Sequence, residues 1–249
     1  MNDLRGFTLA EVLVTLGIIG VVAALLHPML VNKIQERILK QQYKKVYTTL
    51  SKALQKTYAD NSMVWYECYY PIIRNSGTCI EYDEDTHECS KYENVVGLDK
   101  NSECQAYYEA LKKVLSPVKV CENNAYRNGC IPDMKGYDTV ISEQNPDKDD
   151  GDLISMTSGC SGYREADIKN NNPAWVLNDG TVIGFYNNIL GKTIWIDING
   201  HKKPNKWGYD IFTLQVEGDE NKRYITSAGC MLPEKGGKSS HTMFKELYN

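Results

Sequence analysis

The sequence predicts an α+β fold. A long N-terminal α-helix, membrane-spanning in its first half, packs on a C-terminal antiparallel β-sheet, with a disulfide-rich loop region between them. Three observations predict this. From Val12 to Val31 there is no Lys, Arg, Asp or Glu, about 20 residues, enough for a helix to cross a ~30 Å hydrocarbon core. The pattern then turns amphipathic without a Gly or Pro from Val31 to Tyr58. Between Ala174 and Val216, four short β-rich runs alternate with tight-turn residues.

The N-terminus reads MNDLRG and passes at Phe7 into an apolar run broken by Glu11. A carboxylate in a membrane helix is costly and needs a partner. A secretory signal peptide would have a shorter apolar core followed by a small-residue cleavage site. Here the run is longer, and no such site follows before the helical pattern resumes. A plain signal-anchor would leave Glu11 and the Gly6–Phe7 junction without a role. Gly6 followed by Phe7, Thr8, Leu9 and Glu11, with Leu16-Gly17-Ile18-Ile19-Gly20 beyond, resembles the type IV prepilin processing site. That site is shared by type IV pilins and the pseudopilins of type II secretion. The resemblance covers the first 30 residues. It implies a leader over 1–6, cleavage after Gly6, and N-methylation of Phe7 by a membrane prepilin peptidase. Pro28 sits where many pilins carry a helix-loosening proline, and a kink or unwound stretch is expected there.

Cleavage after Gly6 exposes an α-amino group on Phe7, with an ordinary pKa of about 7.7–8.0, largely cationic at neutral pH. Methylation keeps that charge. When subunits stack, Glu11 of one can meet the Phe7 amine of its neighbour in a dry medium, where removing either partner strands a charge. Phe7, Glu11 and Pro28 are therefore the expected assembly residues. Gly17, Gly20, Ala23 and Ala24 would let neighbouring helices approach closely. His27 reads as an interfacial residue.

Over 31–60 the helix continues with Ile34, Ile38, Val46, Leu50, Ala53 and Leu54 at spacings of three and four, widened by Tyr43, Tyr47 and Tyr58. Lys33, Arg37, Lys40, Lys44, Lys45, Lys52 and Lys56 fill the opposite face. A helix from Phe7 to about Ala59 would be roughly 80 Å long. The basic residues after the apolar run outnumber those of the leader, which taken alone places the following domain in the cytoplasm. The cysteines argue the other way. All eight (Cys68, Cys79, Cys89, Cys104, Cys121, Cys130, Cys160 and Cys230) lie beyond the apolar run, as an exported, disulfide-bonded domain requires. None has C-x-x-C spacing, which argues against zinc. Neighbour pairing is expected: Cys68–Cys79, Cys89–Cys104, Cys121–Cys130 and Cys160–Cys230.

The head spans 61–249. Its first part, 61–173, reads as stapled loops with one short helix, opening at Ser102-Glu103-Cys104-Gln105 with capping-box spacing and stopped by Pro117. Asn145 to Asp152 reads as a polar loop, and its acidic cluster Asp147, Asp149, Asp150 and Asp152 as solvated. Trp65, Tyr66, Tyr69 and Tyr70 read as packing residues. The second part, 174–249, holds four strands, Ala174–Leu177, Thr181–Tyr186, Thr193–Ile198 and Asp210–Val216, with turns at Asp179-Gly180 and Asn199-Gly200. The tail 235–240 is expected to be flexible.

Asp197, Asn199, Asn205 and Asp210 could converge on a calcium ion, and some pseudopilins bind calcium near their last strands. The stretch lacks the closing Glu of an EF-hand, and Lys202, Lys203 and Lys206 oppose a dication. Turn capping by Asp197 and Asp210 is weighted above metal binding. No other cofactor is expected. The histidines His27, His87, His201 and His241 are scattered, and no H-E-x-x-H, G-x-S-x-G or P-loop occurs, so the chain is not expected to be an enzyme. Its net charge of −4 gives no nucleic-acid footprint. The expected function is a structural subunit of a type IV pilus or related filament. Its partners are its own kind and other pilin-like subunits, the prepilin peptidase and the assembly machinery. It would sit single-pass in the bacterial cytoplasmic membrane, head outside the cytoplasm, before entering the filament. The alternatives are a type II secretion pseudopilin, or a membrane-anchored binding or adhesion ectodomain that uses the pilin-type signal for export.

Overall fold

The computed structural model describes residues 8–61, 78–82, 89–93, 100–157, 160–186, 193–218, 223–230 and 232–248. Within these, the side chains of 25–33, 61, 78–79, 82, 89–93, 100–106, 161, 218 and 223 are not described. The chain divides into two compact units, 1–41 and 42–249.

Helix α1 runs from Leu9 to Asn61. In the first unit every described side chain from Thr8 to Ala24 is exposed. Among the described residues no helix is long and apolar enough to cross a membrane. The apolar run extends past Ala24, outside the described side chains. The expected unwinding at Pro28 is not found, because α1 is continuous through that residue. A proline removes only one i→i−4 bond, a small loss in a helix of 53 residues.

In the second unit α1 buries Tyr43, Val46, Leu50, Ala53 and Thr57, one helical face. Thr57 was not expected inside; its hydroxyl donates to the Ala53 carbonyl at 2.9 Å, which satisfies it. Ile34 and Ile38 do not join this face. They are 48% and 51% exposed, and Tyr58 is exposed as well.

The sheet has six strands in chain order, all antiparallel: β3 (Lys119–Cys121), β4 (Ala174–Val176), β5 (Val182–Phe185), β6 (Thr193–Asp197), β7 (Ile211–Gly218) and β8 (Arg223–Ser227). The four inner strands are those read from the sequence. The two edges were missed, since a three-residue strand shows no alternation and Arg223–Ser227 is largely polar. A separate hairpin pairs β1 (Thr78–Tyr82) with β2 (Cys89–Glu93).

The sheet is buried on both faces. On one, Tyr43 of α1 meets Phe212 edge-on at 5.1 Å. Helix α2 (Lys100–Leu115) adds Tyr108, which accepts from the Trp175 indole at 2.9 Å. The opposite face carries Val182, Trp195 and Ile211, packed against Met134, Tyr137, Val140, Ile141, Tyr163 and Ile168. The region read as stapled loops therefore supplies a third layer. It contains α3 (Tyr137–Gln144) and α4 (Asp150–Met156). The polar stretch 145–149 is loop, as expected, whereas 150–152 belong to α4, which Asp149 caps by accepting from Asp152 N at 2.8 Å. Helix α2 starts at Lys100, two residues before the expected cap.

Two bridges join Cys121 to Cys130 and Cys160 to Cys230, as paired from the sequence. Cys68 lies outside the described residues, as do the side chains of Cys79, Cys89 and Cys104. The residues Trp65, Tyr66, Tyr69, Tyr70 and His87 also lie outside them. The tail is not free. Glu234 N donates to Trp207 O at 2.9 Å and Lys238 N to Gly208 O at 2.7 Å, and α5 (Ser240–Lys245) follows, with Ser239 capping it.

Gly184 lies opposite Trp195 across β5 and β6. A Cβ there would sit 1.9 Å from the buried indole. Gly184→Ala is expected to cost about 2–3 kcal/mol by overpacking, lowering Tm by roughly 5–10 °C. Thermal unfolding followed by circular dichroism checks this, and an unchanged Tm would mean the indole has room to move.

Candidate functional site

Two places carry chemistry. The first is the start of α1. Gly6 and Phe7 lie outside the described residues, and the description begins at Thr8. There the backbone N–H and the hydroxyl of Thr8 both donate to Glu11 Oε2, each at 2.9 Å. The Glu11 backbone N–H returns a bond to Thr8 Oγ1 at 3.3 Å. This is a reciprocal capping box: each side chain satisfies a backbone donor of the other residue. The T-x-x-E spacing was legible in the sequence, but Glu11 was read there only as an acid waiting for an intermolecular partner. Within its own chain it is already hydrogen-bonded, which fixes its carboxylate beside the first helical turn. Pro28, the third expected assembly residue, lies on α1 with its side chain outside the description.

The second place is the connection from β6 to β7. Asp197 ends β6 and Asp210 precedes β7, and both are fully buried. Between them Gly200, Asn205 and Gly208 take left-handed backbone conformations (φ 64°, 54° and 83°), which curls the loop tightly. At Gly200 a side chain is also blocked, since a Cβ would meet Gly180 O at 2.1 Å. Asp197 Oδ1 accepts from the N–H groups of Asn199 (3.1 Å) and Gly200 (2.8 Å). The two oxygens of Asp210 accept from Asn205 N (2.8 Å) and Lys206 N (2.7 Å). The turn-capping role read from the sequence is therefore met.

Capping does not use every oxygen. Asp197 Oδ2 and Asn199 Oδ1 are buried without a hydrogen-bond partner. The Asn205 amide faces the carbonyls of Lys202 and Gly200, at 2.7 and 3.1 Å. With its nitrogen inward it donates to both; with its oxygen inward it adds an oxygen beside those two carbonyls. Burial, and then the nearby Asp210 charge, push the Asp197 carboxyl up to about 8. Burial also raises Asp210, against the backbone N–H groups that lower it.

An oxygen-only set of this kind suits a hard cation such as calcium. Among the described residues no three His, Cys, Asp or Glu side chains gather as a metal site. A cation here would therefore be held by Asp197 with amide and carbonyl oxygens. Lys202, Lys203 and Lys206 are all exposed. The sequence missed Glu234, nearly buried, whose Oε1 accepts from Trp207 N at 3.3 Å and ties the tail to this loop. No local pattern links residues so far apart.

Of the remaining predicted positions, Asp149 caps α4, and Asp147, Asp150 and Asp152 are exposed. His201 is exposed, and His241 Nδ1 lies 3.3 Å from Ser227 Oγ.

The chain matches the prokaryotic N-terminal methylation motif over residues 1–26. This is the leader signature of type IV pilins and pseudopilins. No curated protein and no solved structure matches the chain.

Proposed function

We propose that this chain, which carries the pilin-type leader signature at its N-terminus, is a structural subunit of a type IV pilus or related filament. It is made as a precursor in the bacterial cytoplasmic membrane, spanning it once through the apolar run. It is cut after Gly6, methylated on the new Phe7 amine, and polymerised with residues 42–249 outside the cytoplasm. Its partners are the prepilin peptidase, the assembly machinery and other pilin-like subunits, its own copies included. Its role is structural rather than catalytic.

The observation that carries this reading is Glu11, a single acid in an apolar run, one helical turn after the processing junction. A lipid-buried carboxylate is favoured only where a cation answers it, and the processed amine of a neighbouring subunit is such a cation. The bridges support exposure to an oxidising compartment.

The loop from Asp197 to Asp210 favours a pseudopilin as the second reading. If calcium binds there, Asp197, Asn199 and Asn205 would hold it, together with the carbonyls of Gly200 and Lys202. The ion would supply fixed positive charge that keeps Asp197 ionised and the loop closed.

Mass spectrometry of the mature protein tests the processing step. The expected N-terminus is Phe7 bearing a methyl group, and non-reducing peptide maps should contain Cys121–Cys130 and Cys160–Cys230. A mature chain that still begins at Met1 with free thiols would overturn the reading.

A further inference from the structure

Ile34, Arg37 and Ile38 lie on one side of α1 at three- and four-residue spacings, and Lys40, three residues beyond Arg37, borders that side next to the exposed acid Glu36. The sequence assigns Ile34 and Ile38 to the core stripe, yet both are about half exposed. Arg37 is exposed and Lys40 half-buried. Among the described residues neither cation has a carboxylate partner, whereas Lys45 is held by Asp179 and Lys56 by Asp60, both at 2.8 Å. Two apolar side chains and Arg37 are thus left exposed together on a short stretch of helix, with Lys40 half-buried beside them.

Position along the chain says what covers them. The apolar run ends at Val31. At 1.5 Å per residue, Ile34 lies about 4–5 Å further along the helix axis, Arg37 about 9 Å and Lys40 about 14 Å. The headgroup layer on each side of a bilayer is about 5–8 Å thick, and the surface potential of anionic lipid decays over about 8 Å beyond it at physiological salt. Ile34 then falls at the acyl boundary, Arg37 at the phosphates, and Lys40 within reach of the field.

We propose that the segment Ile34–Lys40 binds anionic phospholipid headgroups. Ile34 and Ile38 seat in the interface, while Arg37 and Lys40 hold the phosphates. The proposal rests on the membrane-anchored reading above and gives it a lipid preference. It also gives a role to basic charge that otherwise runs against the usual charge asymmetry of membrane proteins. On the outer leaflet these side chains steady the waiting subunit on acidic lipid.

The test uses the full-length chain in nanodiscs containing equal phosphatidylglycerol and phosphatidylethanolamine. Failure to incorporate, or to float with vesicles of the same composition, would defeat membrane anchoring itself and is read separately. Native mass spectrometry of the released protein should show phosphatidylglycerol retained about tenfold over phosphatidylethanolamine, since each basic residue near the surface contributes several-fold. Arg37→Glu with Lys40→Glu should bring the ratio to about one. Lys52→Glu, further along α1, should leave it unchanged. Ile34→Ser with Ile38→Ser should lower retention of both lipids. Equal retention by the wild-type chain would overturn the proposal. So would a preference that survives the double charge reversal, or a reversal that alters only self-association, which would place a second copy on this band.

Discussion

Glu11→Gln is expected to abolish incorporation into filaments while leaving the leader cleaved and Phe7 methylated. In the proposed pathway cleavage falls at the Gly6–Phe7 bond, whereas Glu11 is proposed to act through its charge one turn later. The substitution keeps the shape and one oxygen acceptor, so Thr8 can still donate to the side chain and the helix start is retained. What is lost is the negative charge that answers a neighbour's amine. In a water-excluded filament core a charge left without its counterpart is strongly unfavourable. Assembly should fall below roughly a tenth of wild type, measured as sheared filament against membrane-retained subunit. Normal filament yield from Glu11→Gln would remove the electrostatic account. It would favour the reading in which the leader serves export alone.

The capping box adds a contrast to this experiment. Thr8 holds Glu11 by two hydrogen bonds to the same oxygen. Only the hydroxyl bond can be removed by Thr8→Val, since the backbone N–H remains. That variant keeps the charge but loosens its aim, and it also loses the side-chain cap. Filament yield should fall several-fold, less than for Glu11→Gln. The two variants separate the presence of the charge from its placement.

The parts of the fold that were legible in the sequence are those carried by local pattern. The Tyr43–Ala53 stripe, the β5 and β6 runs and the Asp-Gly turn before β5 each declare themselves within a few residues. The third layer did not. Met134, the Val140-Ile141 pair and Ile168 are separated by polar and turn residues, and no window around them is apolar enough to announce a core. They become one only against Trp195 and Ile211, partners distant in the chain. The same limit hid the ordered tail, whose bonds run from Glu234 and Lys238 back to Trp207 and Gly208. Ile34 and Ile38 fail in the opposite sense. Their spacing is that of a buried face, but periodicity reports that a helix has an apolar side, not what meets it. At the candidate cation loop the residue types were legible. Which oxygens remain unsatisfied after capping was not, because Asp197 and Asp210 cap in different ways.

That difference between two similar carboxylates gives the second large effect. In the absence of calcium, stability should fall as pH rises from about 4 to about 8. The unfolded chain releases the Asp197 proton near the ordinary carboxyl value of about 4, while the folded chain holds it to about 8. Between those values the folded state binds more protons, so raising pH favours unfolding. Below the window both states are protonated and full stability is present; above it both are ionised and the penalty is complete. The size is of order 5 kcal/mol, a fall of roughly 10–20 °C in Tm. Calcium at about 1 mM should flatten the slope by stabilising the ionised form. Asp197→Asn keeps Oδ1 as acceptor for Asn199 and Gly200 and removes the proton that titrates. It should abolish both the slope and the calcium response, and be more stable than wild type near pH 8 without the ion. Asp210→Asn behaves differently, because both its oxygens accept backbone N–H groups; turning one into a donor should destabilise the protein at every pH. Thermal unfolding across this range, with chelator and with calcium, decides the matter. A flat profile in chelator would mean that Asp197 folds ionised. A calcium response that survives Asp197→Asn would place the ion elsewhere.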